Sequence, residues 1–370
     1  MIRLSRCLVG DAEQEAVRRV LASTFLGSGP ETNQFEQELA AFIGGGVAVA
    51  CVTTGTAALQ LAVQAALRPG DEVLVPSLTY VASFQAISAA GAIPVACEVH
   101  EEDALLDLAD AARRITPRTR ALMPVHYASY TGDLDAVHEF AQRHHLRVIA
   151  DAAHAFGCTY HGKKIGSFGD VSCFSFDGIK NITCGEGGAV VTADAALIAK
   201  VRDLRMLGVE RDTEKRYQRQ RSWEFEVSEQ GWRYHMSDIM AAIGRVQLGR
   251  FETEFKPKRM ALARRYREQL ATLPLVRMFG TDLDTVVPHI LPLRILGGRR
   301  DQVRAALQEP GIETGIHYKP NHLLAKFGHG KPALPVTESL YGELMSVPLH
   351  AALSEAEADQ VVAAMRAALN

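Results

Sequence analysis

The strongest constraint on the fold is the alternation of short apolar runs with helical stretches after about residue 45. Several of these runs are continuously apolar, which is typical of strands that are covered on both faces. Strand–helix–strand order requires parallel pairing with right-handed crossovers, so the sequence predicts a large, mostly parallel sheet between helices in an α/β fold. The predicted strands are Val47–Val52, Glu72–Val75, Pro94–Val99, Ala121–Val125, Arg147–Ala150, Val171–Phe174 and Ala189–Val191. The predicted helices between them are Thr56–Leu67, Tyr80–Ala90, Leu105–Ile115 and Leu134–His144.

The second half of the chain has a different pattern. A long helical pattern covers Ser237–Leu270 and is interrupted near Pro257. Shorter elements follow, among them Val286–Ile295, and proline and glycine separate them. The last is a helix over Glu355–Leu369 that Ser354 caps. These features indicate a second, smaller α/β domain.

We therefore expect two domains. The large one covers residues 1–250, with an N-terminal arm over about residues 1–30, and the small C-terminal one covers residues 251–370. Within the large domain, residues 209–230 carry charges of both signs at high density and little periodicity. This favours a solvated loop, although an excursion that reaches a partner subunit would have the same composition.

The composition excludes several classes of protein. The chain has 370 residues, of which 47% are hydrophobic and 22% charged, so disordered and coiled-coil classes are ruled out. The net charge of −3 does not favour binding to nucleic acid or to an anionic membrane. No apolar stretch reaches the roughly 20 residues of a membrane span, and the first residues lack the pattern of a signal peptide. With six scattered cysteines and no CxxC pair, we expect a reduced cytoplasmic protein without a metal site.

The segment of residues 170–192 is the most informative one for function. Its strand VSCFSF leads into a polar turn that carries Lys180, and the glycine-rich GEGG follows. A lysine that is held in a pocket at a strand end can have a lowered pKa and act as a nucleophile or base. An isolated lysine in a loop would more often be solvated, so the neighbouring segments decide between the two interpretations.

Two further segments place polar groups at strand ends. Asp151 ends a strand at the edge of the sheet where open α/β folds bind ligands, and its carboxylate can hold a protonated ring nitrogen. Capping of the next helix is an equally good explanation for Asp151. Thr54–Thr56 begins an alanine-rich helix whose free N–H groups could bind a phosphate, and an ordinary helix start with Thr and Gly would have the same pattern. The GxxxxGK[ST] and GxGxxG fingerprints of triphosphate and dinucleotide sites are absent from this position.

Together these segments require one ligand with a phosphate, a protonatable ring nitrogen and an aldehyde that a lysine can capture. Pyridoxal 5′-phosphate (PLP), with its amine form PMP, meets that description. The order of the segments also resembles the DegT/DnrJ/EryC1/StrS family of PLP-dependent sugar aminotransferases, within the aspartate aminotransferase fold superfamily. The matching segments cover nearly the whole chain: TGTAAL (54–59), VPSLTYVAS (75–83), PVHYAS (124–129), DAAHAFG (151–157), GKKIGSFGD (162–170), FSFDGIKNITCGEGGAVVT (174–192), YHMSDIMAAIG (234–244) and GIHYKPNH (315–322).

The resemblance implies roles for residues around the cofactor ring. Lys180 is implied to form the internal aldimine and to move the proton between cofactor and substrate carbons. Asp151 is implied to pair with the pyridine nitrogen, and Tyr80 to stack on the ring. His154 takes a position near the ring hydroxyl that is often Gln in the family. Asp177 departs from the His or aromatic residue common at its position, and the resemblance implies no role for it.

The resemblance also implies a phosphate site and a homodimer. The backbone N–H groups of Gly55 and Thr56 and the hydroxyl of Ser175 are implied to bind the phosphate. His235 is our choice for a contact to the phosphate of the neighbouring subunit, and Arg233 is the alternative. Such a contact requires a homodimer with the site at the subunit interface.

For the substrates, the resemblance implies glutamate as amino donor and a nucleotide-linked keto sugar as acceptor. The pattern after Lys180 favours amination at carbon 4 of the sugar, hence a 4-keto-6-deoxy sugar, over carbon 3. His322 is the candidate for a substrate contact, whereas we interpret His317 as structural. Thr24–Pro30 either covers the site or is a plain loop.

Three alternative functions are compatible with parts of the sequence pattern. An aminotransferase that acts on a keto-cyclitol would have the same cofactor residues. A PMP-dependent sugar dehydratase is disfavoured because family members of that kind have a histidine in place of the lysine. A non-enzymatic scaffold is disfavoured because Lys180, Asp151 and the phosphate segment are all present.

Overall fold

The computed structural model describes residues 1–209, 225–280, 282–328 and 333–369. Most of the charged stretch predicted to be a loop, residues 210–224, lies outside the described residues. The helices are α1 (Asp11–Ser23), α2 (Pro30–Ile43), α3 (Gly55–Ala66), α4 (Val81–Ala89), α5 (Leu108–Arg113), α6 (Leu134–Arg143), α7 (Ala195–Leu204), α8 (Asp238–Arg250), α9 (Lys256–Leu270), α10 (Arg300–Gln308), α11 (Pro335–Glu343) and α12 (Glu355–Leu369). The strands are β1 (Ala48–Val52), β2 (Glu72–Pro76), β3 (Ile93–Cys97), β4 (Thr119–Leu122), β5 (Arg147–Asp151), β6 (Thr159–Tyr160), β7 (Lys163–Lys164), β8 (Val171–Ser175), β9 (Gly188–Thr192), β10 (Val276–Met278), β11 (Leu291–Ile295) and β12 (Leu344–Val347).

The large sheet has seven strands in the order β1-β9-β8-β5-β4-β2-β3. The pairs from β8 to β3 are parallel, which confirms the mostly parallel α/β sheet. β9 is antiparallel to both of its neighbours, β8 and β1. The connection explains this: residues 176–187 join β8 to β9 as a loop without a helix, whereas a parallel pair needs a crossover that usually contains one.

The carboxyl ends of the parallel strands share one edge of this sheet. β5 ends at Asp151 and β8 at Ser175, and the loop after β2 begins at Ser77. β1 has the same direction as β8 because both are antiparallel to β9, so the segment after Val52 reaches the same edge. Open α/β sheets bind their ligands at this edge.

The sheet is covered on both faces by apolar side chains. On one face, α3 and α4 contribute Leu61 and Phe84, which are fully buried. On the other, Phe35 of α2 packs with Phe174 and Phe176 in the largest cluster. Burial of each such side chain contributes about 1.5–3 kcal/mol, so this double cover holds the strand ends in place.

A second, three-stranded antiparallel sheet has the order β10-β11-β12. Its core includes Tyr266 of α9, Val303 of α10 and Met365 of α12. The N-terminal residue Ile2 also lies in this core and pairs with Ile312. The division of the chain at residue 250 stays a prediction, although the two sheets lie on either side of it.

The predicted helix boundaries in the second half agree with the structure. The long pattern consists of α8, a π turn over Phe251–Phe255 and α9, with Pro257 in the first turn of α9. Proline is tolerated there because the first N–H groups of a helix have no partner. Ser354 caps α12, since its hydroxyl accepts a hydrogen bond from Glu357 N at 3.2 Å. In the described part of the chain, no helix is both long and apolar enough to cross a bilayer.

Candidate active site

Asp151 is a buried carboxylate at the end of β5. Its Oδ2 accepts a hydrogen bond from Ser83 Oγ at 2.7 Å, and its Oδ1 accepts one from Ala153 N at 3.2 Å. Burial raises its pKa, while these hydrogen bonds and the charge of Lys180 act in the opposite direction. Within the described residues Asp151 forms no ion pair at bonding distance. It is therefore a buried acceptor that a cationic group would stabilise.

Lys180 lies in the turn between β8 and β9. Its backbone N–H donates to Asp177 O, and Asp177 Oδ1 accepts from Ile179 N at 3.1 Å, so Asp177 shapes the turn. Burial lowers the pKa of Lys180 to about 8, while the charges of Asp151 and Asp177 act to raise it. A lysine with this pKa has a substantial neutral fraction near pH 7–8 and can act as a nucleophile or base.

The N-terminus of α3 forms the predicted anion site. Thr54 caps the helix by accepting a hydrogen bond from Ala57 N at 3.0 Å. Gly55 lies against Ser175, because a Cβ at Gly55 would be 2.7 Å from Ser175 Cβ. A Cβ at Gly188 would be only 2.4 Å from Thr54 O. The two glycines thus let the helix N-terminus approach the ends of β8 and β9, and the first N–H groups of a helix are donors of the kind that bind an anion.

His235 lies beside this anion site in its own chain. It forms an isolated β-bridge with Val52, and Tyr234 O accepts a hydrogen bond from Thr53 N at 2.8 Å. Arg233, the alternative, is exposed. The contact of either residue to a second subunit stays a prediction. The Thr24–Pro30 segment is joined to the start of α8 through Asp238, whose Oδ1 accepts from Gly29 N at 2.8 Å.

Tyr80 and His154 both contact Tyr318, a residue to which the sequence analysis assigned no role. Tyr80 is 57% exposed, and its ring centroid is 5.4 Å from that of Tyr318. The hydroxyl of Tyr318 is 3.2 Å from His154 Nε2. Burial and the nearby charge of Lys180 hold the pKa of His154 well below its usual range, so its imidazole is neutral. Its Nδ1 is buried and has no hydrogen-bond partner in the described chain.

His317 and His322 have structural partners. His317 Nδ1 is 2.8 Å from Ser346 Oγ, in accord with the structural interpretation. His322 is 1% exposed. Its backbone N–H donates to Ser77 Oγ at 3.0 Å, its Nδ1 is 2.7 Å from the same oxygen, and its Nε2 is 3.2 Å from Glu338 Oε1. Both ring nitrogens are thus engaged within the protein, and the substrate contact proposed for His322 stays a prediction.

The sequence analysis also missed His289. Its Nε2 is 3.3 Å from Lys180 Nζ, and its ring centroid is 4.5 Å from that of His154. The sequence analysis places His289 inside the short element Val286–Ile295 without assigning it a role, and the strand β11 begins only at Leu291. The residues before it bind the large domain instead, for example through Val287 O, which accepts from Asn181 Nδ2 at 3.1 Å. No local pattern marks His289 as a site residue.

These groups fit PLP. The buried Asp151 carboxylate suits a protonated ring nitrogen, and the buried Nδ1 of His154 lacks a partner that a ring substituent would supply. The glycine-lined start of α3 suits the phosphate, and the amine of Lys180 suits the aldehyde. The arrangement can bind the cofactor at both ends and move protons at its reactive carbon.

Comparison with known proteins agrees with this fit. The model of the DegT/DnrJ/EryC1/StrS aminotransferase family matches residues 8–366. The spore coat polysaccharide biosynthesis protein SpsC of Bacillus subtilis (strain 168) is 36% identical, over 97% of this chain and 95% of SpsC.

Solved structures have the same fold. DesV of S. venezuelae, solved in complex with a ketimine intermediate, is 38% identical with a TM-score of 0.87, over 96% of this chain and 93% of DesV. Spr1654 of Streptococcus pneumoniae in its PLP form is 26% identical with a TM-score of 0.90, and the match covers both chains completely. The predicted enzyme class, a PLP-dependent aminotransferase, is confirmed. The chain belongs to the DegT/DnrJ/EryC1/StrS aminotransferase family.

Proposed function

We propose that this aminotransferase moves an amino group from glutamate to a nucleotide-linked keto sugar, with a 4-keto-6-deoxy sugar as the favoured acceptor. The observation that carries the proposal is the convergence of the Lys180 amine, the Asp151 carboxylate and the start of α3 at one sheet edge. SpsC, which is named for spore coat polysaccharide biosynthesis, supports a carbohydrate acceptor. The sequence pattern after Lys180 supports carbon 4.

Asp151 has an electrostatic role in this proposal. Bound PLP supplies an aldehyde that takes up the amino group and a ring that accepts the electron pair left by proton removal. Asp151 accepts a hydrogen bond from the ring nitrogen and keeps that nitrogen protonated. The positive charge keeps the carboxylate ionised in return, because an opposite charge at hydrogen-bond distance offsets the rise in pKa that burial causes.

Lys180 has two roles, one after the other. With PLP bound, its neutral amine would hold the aldehyde carbon as a nucleophile, with loss of water, and would be set free when the amine of glutamate takes its place. The released Nζ then takes the α-proton of the donor as a base and returns it at the neighbouring carbon. The acceptor ketone passes through the same steps in reverse at the same Nζ. Two half-reactions in one site predict ping-pong kinetics.

The phosphate anchors the cofactor away from these steps. The N–H groups of Gly55 and Thr56 and the hydroxyl of Ser175 donate to it, and the positive end of the α3 dipole adds to the attraction. His235 of a second subunit completes the phosphate site in a homodimer.

The acceptor is tested with a panel of substrates. The protein is loaded with PLP and glutamate and offered nucleotide-linked 4-keto-6-deoxy sugars, 3-keto sugars and a keto-cyclitol, and aminated products are detected by mass spectrometry. We expect amination of a 4-keto nucleotide sugar. Exclusive turnover of the cyclitol or of 3-keto sugars would overturn the proposed acceptor.

The role of Lys180 is tested with Lys180→Ala and, as a control, Lys163→Ala, since Lys163 is exposed on β7. Lys180→Ala should lose the borohydride-sensitive visible band and reduce turnover by about 10⁴-fold, the upper end of the usual contribution of a catalytic base. Lys163→Ala should retain both. A normal band in Lys180→Ala would assign the cofactor linkage to another lysine.

The subunit interface is tested by mixing two inactive variants, Lys180→Ala and His235→Ala. If His235 acts across the interface, a mixed dimer contains one site with both Lys180 and His235 intact, and activity returns on mixing. If His235 acts within its own subunit, every site lacks one of the two residues and mixing restores nothing.

A further inference from the structure

His289 contacts the amine of Lys180 from a loop that precedes β11. Its Nε2 is 3.3 Å from Lys180 Nζ, and in the described part of the chain no other side chain lies within hydrogen-bond distance of that amine. We propose that His289 is a positioning residue that holds the released amine of Lys180 by this hydrogen bond while the proton is transferred. The proposal rests on the proposed role of Lys180 in the reaction.

The backbone of His289 is fixed from two sides. Its N–H donates to Ser129 Oγ at 2.9 Å, and its carbonyl accepts from Arg259 Nη1 at 3.2 Å. Arg259 is 3% exposed, and the same Nη1 also contacts Pro288 O at 3.4 Å and Leu349 O at 3.3 Å. A buried guanidinium that binds three carbonyl groups joins the loop to α9 and to the segment after β12. The backbone that carries the imidazole is therefore fixed by contacts from α9 and from Ser129.

The imidazole of His289 is neutral. Burial is the main cause of a pKa well below the usual range, and four titratable groups face the ring. These groups are Lys180 from the turn after β8, His154 from the loop after β5, Arg259 from α9 and His317 from the segment before the Asn321–Leu323 turn. A neutral imidazole can accept an N–H from the lysine, or donate one to it, without adding a second positive charge next to the ammonium form.

Lys180 needs such a partner because its amine leaves the cofactor in every half-reaction. A free lysine side chain gains about 2 kcal/mol of rotamer entropy, which disperses the amine over many positions. Misplacement of a reacting group by about 1 Å can cost on the order of 10²-fold in rate. Since other residues bind the phosphate, substitution of His289 should slow proton transfer and leave cofactor binding intact.

The test compares His289→Phe, which keeps the planar ring, with His289→Gln, which keeps hydrogen-bonding groups. The PLP-loaded enzyme is mixed with glutamate or α-deuterated glutamate, and single turnovers are followed by absorbance. We expect His289→Phe to slow proton removal by about 10- to 100-fold, with a larger isotope effect and an unchanged Kd for PLP. His289→Gln should recover part of the rate.

A second measurement does not depend on turnover. In apoprotein labelled with ¹⁵N-histidine, the imidazole resonances that disappear in His289→Gln are assigned to His289. These resonances should shift in Lys180→Met, which keeps a long side chain and removes the amine. Unchanged resonances would show that the two nitrogens do not interact and would overturn the proposal.

The control variant is His350→Phe, a buried histidine whose Nε2 lies 3.2 Å from Arg3 O. We expect His350→Phe to lose stability or PLP affinity but to keep a normal rate per bound cofactor and a normal isotope effect. If His289→Phe behaves in the same way, the positioning role of His289 is wrong. If Lys180→Met still forms the borohydride-sensitive band, the proposed function of Lys180 fails instead. The two failures are thus distinguishable.

Discussion

The candidate active site has two halves that differ in how their side chains are held. In the sheet half, Asp151 and Ser175 are the last residues of β5 and β8, so strand pairing and the double apolar cover fix their positions. In the loop half, His289 and Tyr318 lie in segments without regular structure, and individual hydrogen bonds hold them. A change in the sheet half should therefore alter chemistry without loss of fold, whereas a change in the loop half should alter position or stability.

The largest effect that we expect in the sheet half is that of Asp151→Asn. The amide keeps the size of the side chain but cannot stabilise a positive ring nitrogen. Turnover should fall by about 10²- to 10³-fold, comparable to the loss of other preorganised electrostatic groups. The measurement is kcat per bound cofactor, with Asp135→Asn on the surface as control. Normal turnover of Asp151→Asn would contradict the electrostatic role of Asp151. Unfolding of the variant would contradict the expectation that changes in the sheet half leave the fold intact.

Gly188→Ala tests the steric requirement of the phosphate site. Its Cβ would lie 2.4 Å from Thr54 O, so the start of α3 has to move. Overpacking of this kind costs about 1–3 kcal/mol, and if this cost falls on the bound state it corresponds to a loss of PLP affinity of about 5- to 140-fold. Titration of the apoprotein with PLP measures this loss.

Gly249→Ala is the matched control. Gly249 lies in α8, and a Cβ there would contact nothing within 4 Å. Alanine should raise the free energy of unfolding by about 0.5–1 kcal/mol and leave PLP affinity unchanged. Equal losses of affinity in both variants would show that the close approach at Gly188 is not specific to the phosphate site.

The pH dependence of PLP capture reports on Lys180. Because its pKa is lowered to about 8, the neutral amine becomes more abundant as the pH rises. The rate of capture by the apoprotein, corrected for titration of free PLP, should rise about tenfold per pH unit below that value and level off above it. The unfolded chain binds more protons than the folded one between pH 8 and the usual lysine pKa of 10.5, so the stability of the apoprotein increases as the pH rises through this window. A rate that rises up to about pH 10.4, as for an exposed lysine, would contradict burial of the amine.

His322→Asn should have the smallest effect on chemistry among these variants. Loss of the imidazole removes a buried partner of Ser77 Oγ, which costs about 1–3 kcal/mol of stability, measured by urea unfolding. Glu338→Gln, which retains an acceptor near His322 Nε2, is the control. A rise in KM for the sugar with unchanged stability would instead assign His322 to substrate binding.

The sheet half could be predicted from the sequence, and the loop half could not. Asp151 and Ser175 follow apolar runs that form strands, and parallel strand ends meet at one edge in any fold of this class. His289 lies in an apolar run that has the pattern of a strand, and only its packing against the large domain places it next to Lys180. Tyr318 lies in the GIHYKPNH run, but its contact to His154 joins residues that no periodicity connects. The antiparallel direction of β9 could not be predicted from the sequence pattern either, because it depends on the turn that precedes this strand.

The pairing of Ile2 with Ile312 has a mechanical consequence. Ile2 belongs to the core of the three-stranded sheet, whereas α1, which begins nine residues later at Asp11, packs on α8 through Ala16 and Val20. The chain thus passes between these parts of the molecule after Ile2 and again after α8. Residues 1–10 therefore tie α1 to the core of the three-stranded sheet, and loss of Ile2 would leave Ile312 without its bridge partner and expose part of that core to water.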